Sequence, residues 1–176
     1  MAETVRGAKS LNNKLGMIQD PTGSVVKAVG KEIRRVRNAA VMLCPVNHGE
    51  LRQSINTMVN EYNAGVRGIC YTNNQYAAYV EFGTGPKGEE NHSGISPNVQ
   101  PTYTQEGWWF PGEGIMPADA ERYHWPTSEG KDGTFYFTKG QAAQPYMYPA
   151  LKMNENIITM NLSAALRADI KKVGKA

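Results

Sequence analysis

The sequence predicts an α+β fold: a small, mainly antiparallel sheet flanked by an N-terminal helix and a long C-terminal helix, with a long loop insertion. Three observations predict it. Apolar residues recur at helical spacing over residues 24–43, the period changes to two over residues 54–72, and a helical period returns from about Met147 to Val173. A chain of 176 residues can bury one core of its own and is short for two, so a single domain over residues 1–176 is expected.

The elements follow in order. Val5, Ala8, Leu11, Leu15 and Ile18 recur at three and four, which gives an amphipathic helical arm over residues 1–20 that stops before Pro21 and Gly23. Ser24 suits the N-cap of the next helix, which ends near Leu43 because Cys44 precedes a proline and must leave the helical region. On that helix Val25, Val26, Val29, Ile33, Val36, Ala40 and Leu43 share one sector. Lys27, Lys31, Arg34, Arg35 and Arg37 occupy the other, so one face is apolar and one basic.

Ile55, Thr57 and Val59 alternate with Asn56, Met58 and Asn60. After Asn63 to Gly65 come Val66, Ile69, Cys70 and Tyr71, so this stretch reads as a hairpin turning within residues 61–65. Tyr76 to Phe82 reads as a short helix with Ala77, Val80 and Tyr76 inward, ended by Gly83 in a left-handed conformation. The pattern then disappears. Residues 86–133 hold six of the ten prolines and seven of the eighteen glycines, together with Trp108, Trp109, Phe110, Tyr123 and Trp125, and read as an inserted loop with one or two short strands. Thr134 to Thr138 is a compact strand, expected in the same sheet as the hairpin.

The final helix carries two apolar stripes. Tyr148, Leu151, Ile158, Leu162, Leu166, Ile170 and Val173 form one, interrupted by Glu155, and Met153, Ile157, Met160 and Ala164 form another nearly opposite. Two readings stand side by side. Either one stripe covers the sheet and the other the helix of residues 24–43, or the Met-containing stripe meets a neighbouring subunit.

Charge and chemistry narrow the function classes. A formal net charge of +3 and a pI of about 8.8 are mild for a dedicated nucleic-acid binder and by themselves name no partner. The basic face of Lys27, Lys31, Arg34 and Arg35 is the best candidate for touching DNA, against the plainer reading of a solvated face. No apolar run approaches the roughly 20 residues that span a bilayer, and a chain made in the cytoplasm is expected. Cys44 and Cys70 form no paired motif and are expected reduced and buried.

His48, His92 and His124 fall in loops without a nucleophile signature, so no catalytic residue, metal site or cofactor is assigned. Gly83-Thr84-Gly85 lacks the strand-to-helix context of a phosphate loop, because Pro86 follows. Glu81, Gly83 and Gly85 are therefore given a structural role, with Glu81 accepting backbone hydrogen bonds. Among non-assembly alternatives, a hydrolase would have to draw on Glu113, Asp119 and Glu121, and a carbohydrate- or receptor-binding module on the aromatics of the insert.

Three pieces in series carry a resemblance: Pro45 followed by Gly49-Glu50-Leu51-Arg52-Gln53-Ser54-Ile55, then Tyr76-Ala77-Ala78-Tyr79-Val80-Glu81-Phe82-Gly83-Thr84-Gly85, then Pro145-Tyr146-Met147-Tyr148-Pro149-Ala150. Together they resemble the gene-product-ten-like neck, or tail-completion, family of long-tailed double-stranded DNA bacteriophages. Tyr146 stands where that family usually has Phe, and the 86–133 insertion departs from its pattern. The resemblance implies a structural, non-enzymatic virion protein at the head–tail junction, assembled in the host cytoplasm. It implies a cyclic homo-oligomer, a hexamer matching the tail, joining the head connector to the tail tube or terminator with genome DNA passing through. A tail terminator or minor capsid protein is the alternative within that class. Met153, Ile157, Met160, Trp108 and Trp109 are the candidate subunit contacts, the tryptophans reading equally as part of the insertion's own small core, and Pro149 belongs to the structural motif.

Overall fold

The computed structural model describes residues 23–46, 49–62 and 65–175, the last three of these in backbone only. The arm over residues 1–20, His48, Asn63 and the side chain of Val173 lie outside the described residues. The chain divides into two compact units, residues 1–74 with 146–176 and residues 75–145.

The first unit holds α1 (Gly23–Leu43), a short α2 (Glu50–Gln53), β1 (Asn56–Tyr62), β2 (Gly65–Tyr71) and, after the second unit, α6 (Met147–Lys175). β1 and β2 form an antiparallel hairpin, with Asn56 opposite Tyr71 and Tyr62 opposite Gly65. The strands thus extend further toward the turn than residue spacing alone indicated. α1 is the shared element, packing on the hairpin with one side and on α6 with another. A Cβ on Gly68 would sit 3.0 Å from both Val29 and Ile33, so the missing side chain lets α1 lie close on the sheet. Val36, Ala40, Cys44, Leu51, Ile55, Tyr146 and Ala150 form the core of this unit. Arg37 leaves the expected basic face and donates from Nε to the Ile55 carbonyl at 2.9 Å, holding the start of the hairpin. Leu43, placed inward by the apolar period, is exposed at the last turn.

α6 corrects the expected core stripe. Its face toward α1 is small and polar: Ala150 and Asp169 are buried, with Asn154, Ile158, Asn161 and Ala165 half-buried, whereas Leu151, Leu166 and Ile170 are exposed. The reason is polar pairing across two antiparallel helices. Asn161 donates to Glu32 Oε1 at 2.9 Å while Arg35 Nε donates to Glu32 Oε2 at 2.9 Å, and Ser24 bonds Asp169, which Lys172 also approaches at 3.7 Å. A buried carboxylate is stable only when its oxygens are so occupied. Pro149 sits in the first turn of α6, where no intrahelical N–H is needed.

The second unit holds α3 (Ala77–Phe82), α4 (Gly85–Glu90), β3 (Trp108–Pro111), α5 (Pro117–Tyr123), β4 (Thr127–Gly130) and β5 (Gly133–Thr138). The strands make their own three-stranded antiparallel sheet in the order β3-β5-β4. The strand at residues 134–138 is therefore not in the hairpin's sheet: its partners come from the insertion, at Trp109 opposite Phe137 and Thr127 opposite Tyr136. Among the described residues the fold is α+β with two small antiparallel sheets. The insertion carries two short strands, β3 and β4, within the one or two expected, and adds two helices, α4 and α5, which are six and seven residues long and too short to show a helical period.

Candidate functional site

The glycine-rich motif is a backbone seam. Gly83 has φ 77° and ψ 177°, a mirror-extended conformation open to glycine and not the left-handed one expected, and its N–H closes α3 on Tyr79 O at 3.0 Å. Thr84 and Gln141 then exchange backbone bonds at 2.9 and 3.1 Å, and Gln144 N donates to Val80 O at 2.8 Å. A Cβ on Gly83 would lie 2.8 Å from Ala143 N and Gln141 O, and one on Gly85 would lie 2.6 Å from Lys139 O. The motif therefore lets segment 79–91 lie directly against segment 139–144. Glu81 is buried beside it, Ala77 is buried, and Tyr76, expected inward, is exposed. Tyr103 adds a bond from its hydroxyl to Phe82 O at 2.8 Å.

A helix does follow Gly85, contrary to the expectation drawn from Pro86, which occupies its first turn. It still makes no phosphate cradle. α4 is six residues long and follows a helix, and its first N–H groups are engaged, Lys87 N on Lys139 O at 3.2 Å and Gly88 N on Thr84 O at 2.9 Å.

The aromatic residues of the insertion form a small core. Phe110 and Trp125 meet edge to face with centroids 5.0 Å apart, Tyr123 stacks on Trp125 at 5.0 Å, and both Phe110 and Trp125 approach buried Tyr136. Trp108 packs over Gly85, where an added Cβ would come within 3.0 Å of its ring. Trp109 touches Phe137 yet remains 51% exposed.

No constellation for chemistry assembles among these residues. Asp119 and Glu121 are two positions apart on α5 and point away from each other, and Glu113 lies in the preceding loop. His92 stacks flat on Tyr103 and His124 caps α5 with φ 52°. Among the described residues no group of three or more metal-ligating side chains comes together, and no helix is long and apolar enough to cross a membrane. Cys44 is buried and Cys70 half-buried, neither in a disulfide, and burial pushes the Cys70 thiol above its usual value against the smaller opposing pull of Arg37.

Two surfaces stand out in the first unit. The Met-containing stripe of α6 is uncovered among the described residues: Met153 is 73%, Met160 66% and Ile157 38% exposed. It does not pack on α1, which takes the neighbouring small, polar face. On α1, Lys27, Lys31 and Arg34 are exposed, while Arg35 is drawn into its pair with Glu32. Sequence periodicity missed Glu32, Asn161 and Asp169 as partners. Their spacing on the helices matches a shared face, but a polar residue at a core position reads as an interruption until its partner is known.

Residues 9–83 match a family model described as "Bacteriophage HK97-gp10, putative tail-component". The match takes in α1, α2, the hairpin and α3 with Gly83, so the first two of the three sequence pieces fall within it in full or nearly so. No curated protein and no solved structure matches the chain. The family match supports a bacteriophage tail-component role and a place in the virion, among other phage structural proteins, and suggests a part without enzymatic activity.

Proposed function

We propose that this chain is a structural subunit of the head–tail junction of a tailed bacteriophage, where identical copies form a ring that joins the head connector to the tail and lets the genome pass. The observation that carries this reading is the tail-component match over residues 9–83, which takes in α1, the hairpin and α3 as far as Gly83, where the seam begins. A passive ring needs ordered subunits and two complementary contact surfaces on each copy in place of a reaction centre. The polar lock of α1 on α6 and the seam at Gly83 supply that order.

Head-to-tail contacts between identical subunits close into a ring when the rotation between neighbours divides the circle. The exposed Met153, Ile157 and Met160 offer one apolar contact surface and Trp109, with the edge of Trp108, another, since Met and aromatic side chains concentrate in interface cores. Gly83, Gly85 and Glu81 act within the subunit. Lys27, Lys31 and Arg34 stand exposed on α1. Mass measurement of the purified chain, alone and with connector or tail-tube protein, tests the reading. A cyclic oligomer, a hexamer if it matches the tail, is expected, and a chain that stays monomeric with every neck partner would overturn it.

A further inference from the structure

The mild net charge of +3 conceals a strong segregation between the two units. Residues 1–74 with 146–176 contain fifteen Lys and Arg against seven Asp and Glu, a balance of +8, whereas residues 75–145 contain four against nine, a balance of −5. Among the described residues the contrast persists at the surface, with eight exposed Lys and Arg against three exposed Asp and Glu in the first unit and four against seven in the second. In the first unit Glu32 and Asp169 are buried and bonded, and exposed Glu155 is paired with Lys152, while Lys27, Lys31, Arg34, Arg67, Arg167 and Lys171 are all exposed. In the second unit only Glu81 is buried, and Glu89, Glu90, Glu113, Glu121, Glu129 and Asp132 are exposed.

We infer that the partner of the basic helix pair is the acidic unit of a second copy of this chain, so that successive subunits dock plus to minus around the ring. The inference rests on the ring reading above and adds what makes its contact directional. A nucleic acid would also suit the basic face, but polyanion binding gives no reason for the same chain to carry a compensating acidic unit. A heterologous contact does: each copy must present both halves of one complementary interface. Two of the basic side chains, Arg167 and Lys171, share α6 with the exposed Met153, Ile157 and Met160, and an apolar centre with a charged surround is the usual make-up of a protein–protein contact.

The test is self-association measured by analytical ultracentrifugation across salt, on the full chain and on three variants. Reversing the exposed basic residues (Lys27→Glu, Lys31→Glu, Arg34→Glu, Arg167→Glu, Lys171→Glu) takes the first unit from +8 to −2 and makes both halves acidic, and reversing exposed acidic residues (Glu89→Lys, Glu90→Lys, Glu121→Lys, Glu129→Lys) takes the second from −5 to +3 and makes both halves basic. The third variant carries both sets. The parent is expected to associate at about 50 mM NaCl and to weaken by roughly tenfold or more at about 500 mM, because exposed charges are screened within a few ångströms there. Each single-face variant should stay monomeric alone, the two should associate when mixed, and the doubly reversed chain should associate by itself.

A parent that is monomeric at low salt, or single-face variants that associate like the parent, would overturn the inference. So would a basic-face reversal that abolishes binding of a DNA duplex and leaves self-association unchanged. The ring reading fails separately, only if no oligomer forms with any neck partner. A ring that ignores both salt and charge reversal would leave that reading intact and remove this one.

Discussion

Replacing Gly83 by alanine isolates what the glycine motif contributes. Its φ of 77° and ψ of 177° fall in a region that costs a Cβ-bearing residue about 1–3 kcal/mol. The new methyl would also sit 2.8 Å from Ala143 N and Gln141 O and 2.9 Å from Gly88 Cα. All three are backbone atoms, so relief means separating the two segments and stretching the paired bonds between Thr84 and Gln141, and overpacking of this kind costs about 1–3 kcal/mol more. Gly83→Ala should therefore destabilise the second unit by about 3 kcal/mol or more. Gly114→Ala is the control, because Gly114 has the same φ of 77° with nothing within 4 Å of the added methyl, and it should cost about 1 kcal/mol.

The assay is urea unfolding followed by tryptophan fluorescence. All three tryptophans, Trp108, Trp109 and Trp125, lie in residues 75–145, so the signal reports that unit. Equal losses for the two variants would refute the claim that close backbone approach, and not φ alone, fixes glycine at this position.

Three further outcomes follow from the structure. Glu32→Ala and Asn161→Ala, combined in a double-mutant cycle read by circular dichroism, should show a coupling of about 1–2 kcal/mol, and additive losses would mean the buried bond contributes nothing. Ile157→Asp should leave the monomer's stability within about 0.5 kcal/mol while lowering ring yield, and a loss of about 3 kcal/mol or more in the monomer would show that this stripe packs inside the subunit. The Cys70 thiol, raised by burial, should alkylate more slowly at pH 8 than a free cysteine. Its raised value also means that the unfolded chain ionises first, so this group's contribution is full below the ordinary thiol range and falls as pH rises through it; alkylation at the free-cysteine rate would contradict both statements.

Much of the first unit was legible from the residues because its signals are local. Ser24 to Leu43 has an apolar sector and a proline stop, residues 55–71 alternate, and α6 has no glycine or proline between Ala150 and Val173. The buried face of α6 was not legible. It is built from Ala150, Asn154, Asn161 and Asp169, and such residues mark a core only once Glu32 and Ser24 are seen opposite them. The second sheet escaped for a related reason: its strands are four to six residues long and pair only with one another, so no flanking element reveals their register. The seam was anticipated as a structural motif, but its partner at residues 139–144 lies more than fifty residues away and has no pattern of its own. Charge segregation was hidden by the order of the chain, because the acidic unit is inserted between two basic segments that fold together.

The claim that this chain is a head–tail junction subunit is tested most directly by locating it in the particle. Purified virions labelled with an antibody against this chain and imaged by electron microscopy should carry the label at the neck, between head and tail. Label along the tail, at its distal fibres or over the capsid shell, or virions that carry none, would contradict the account.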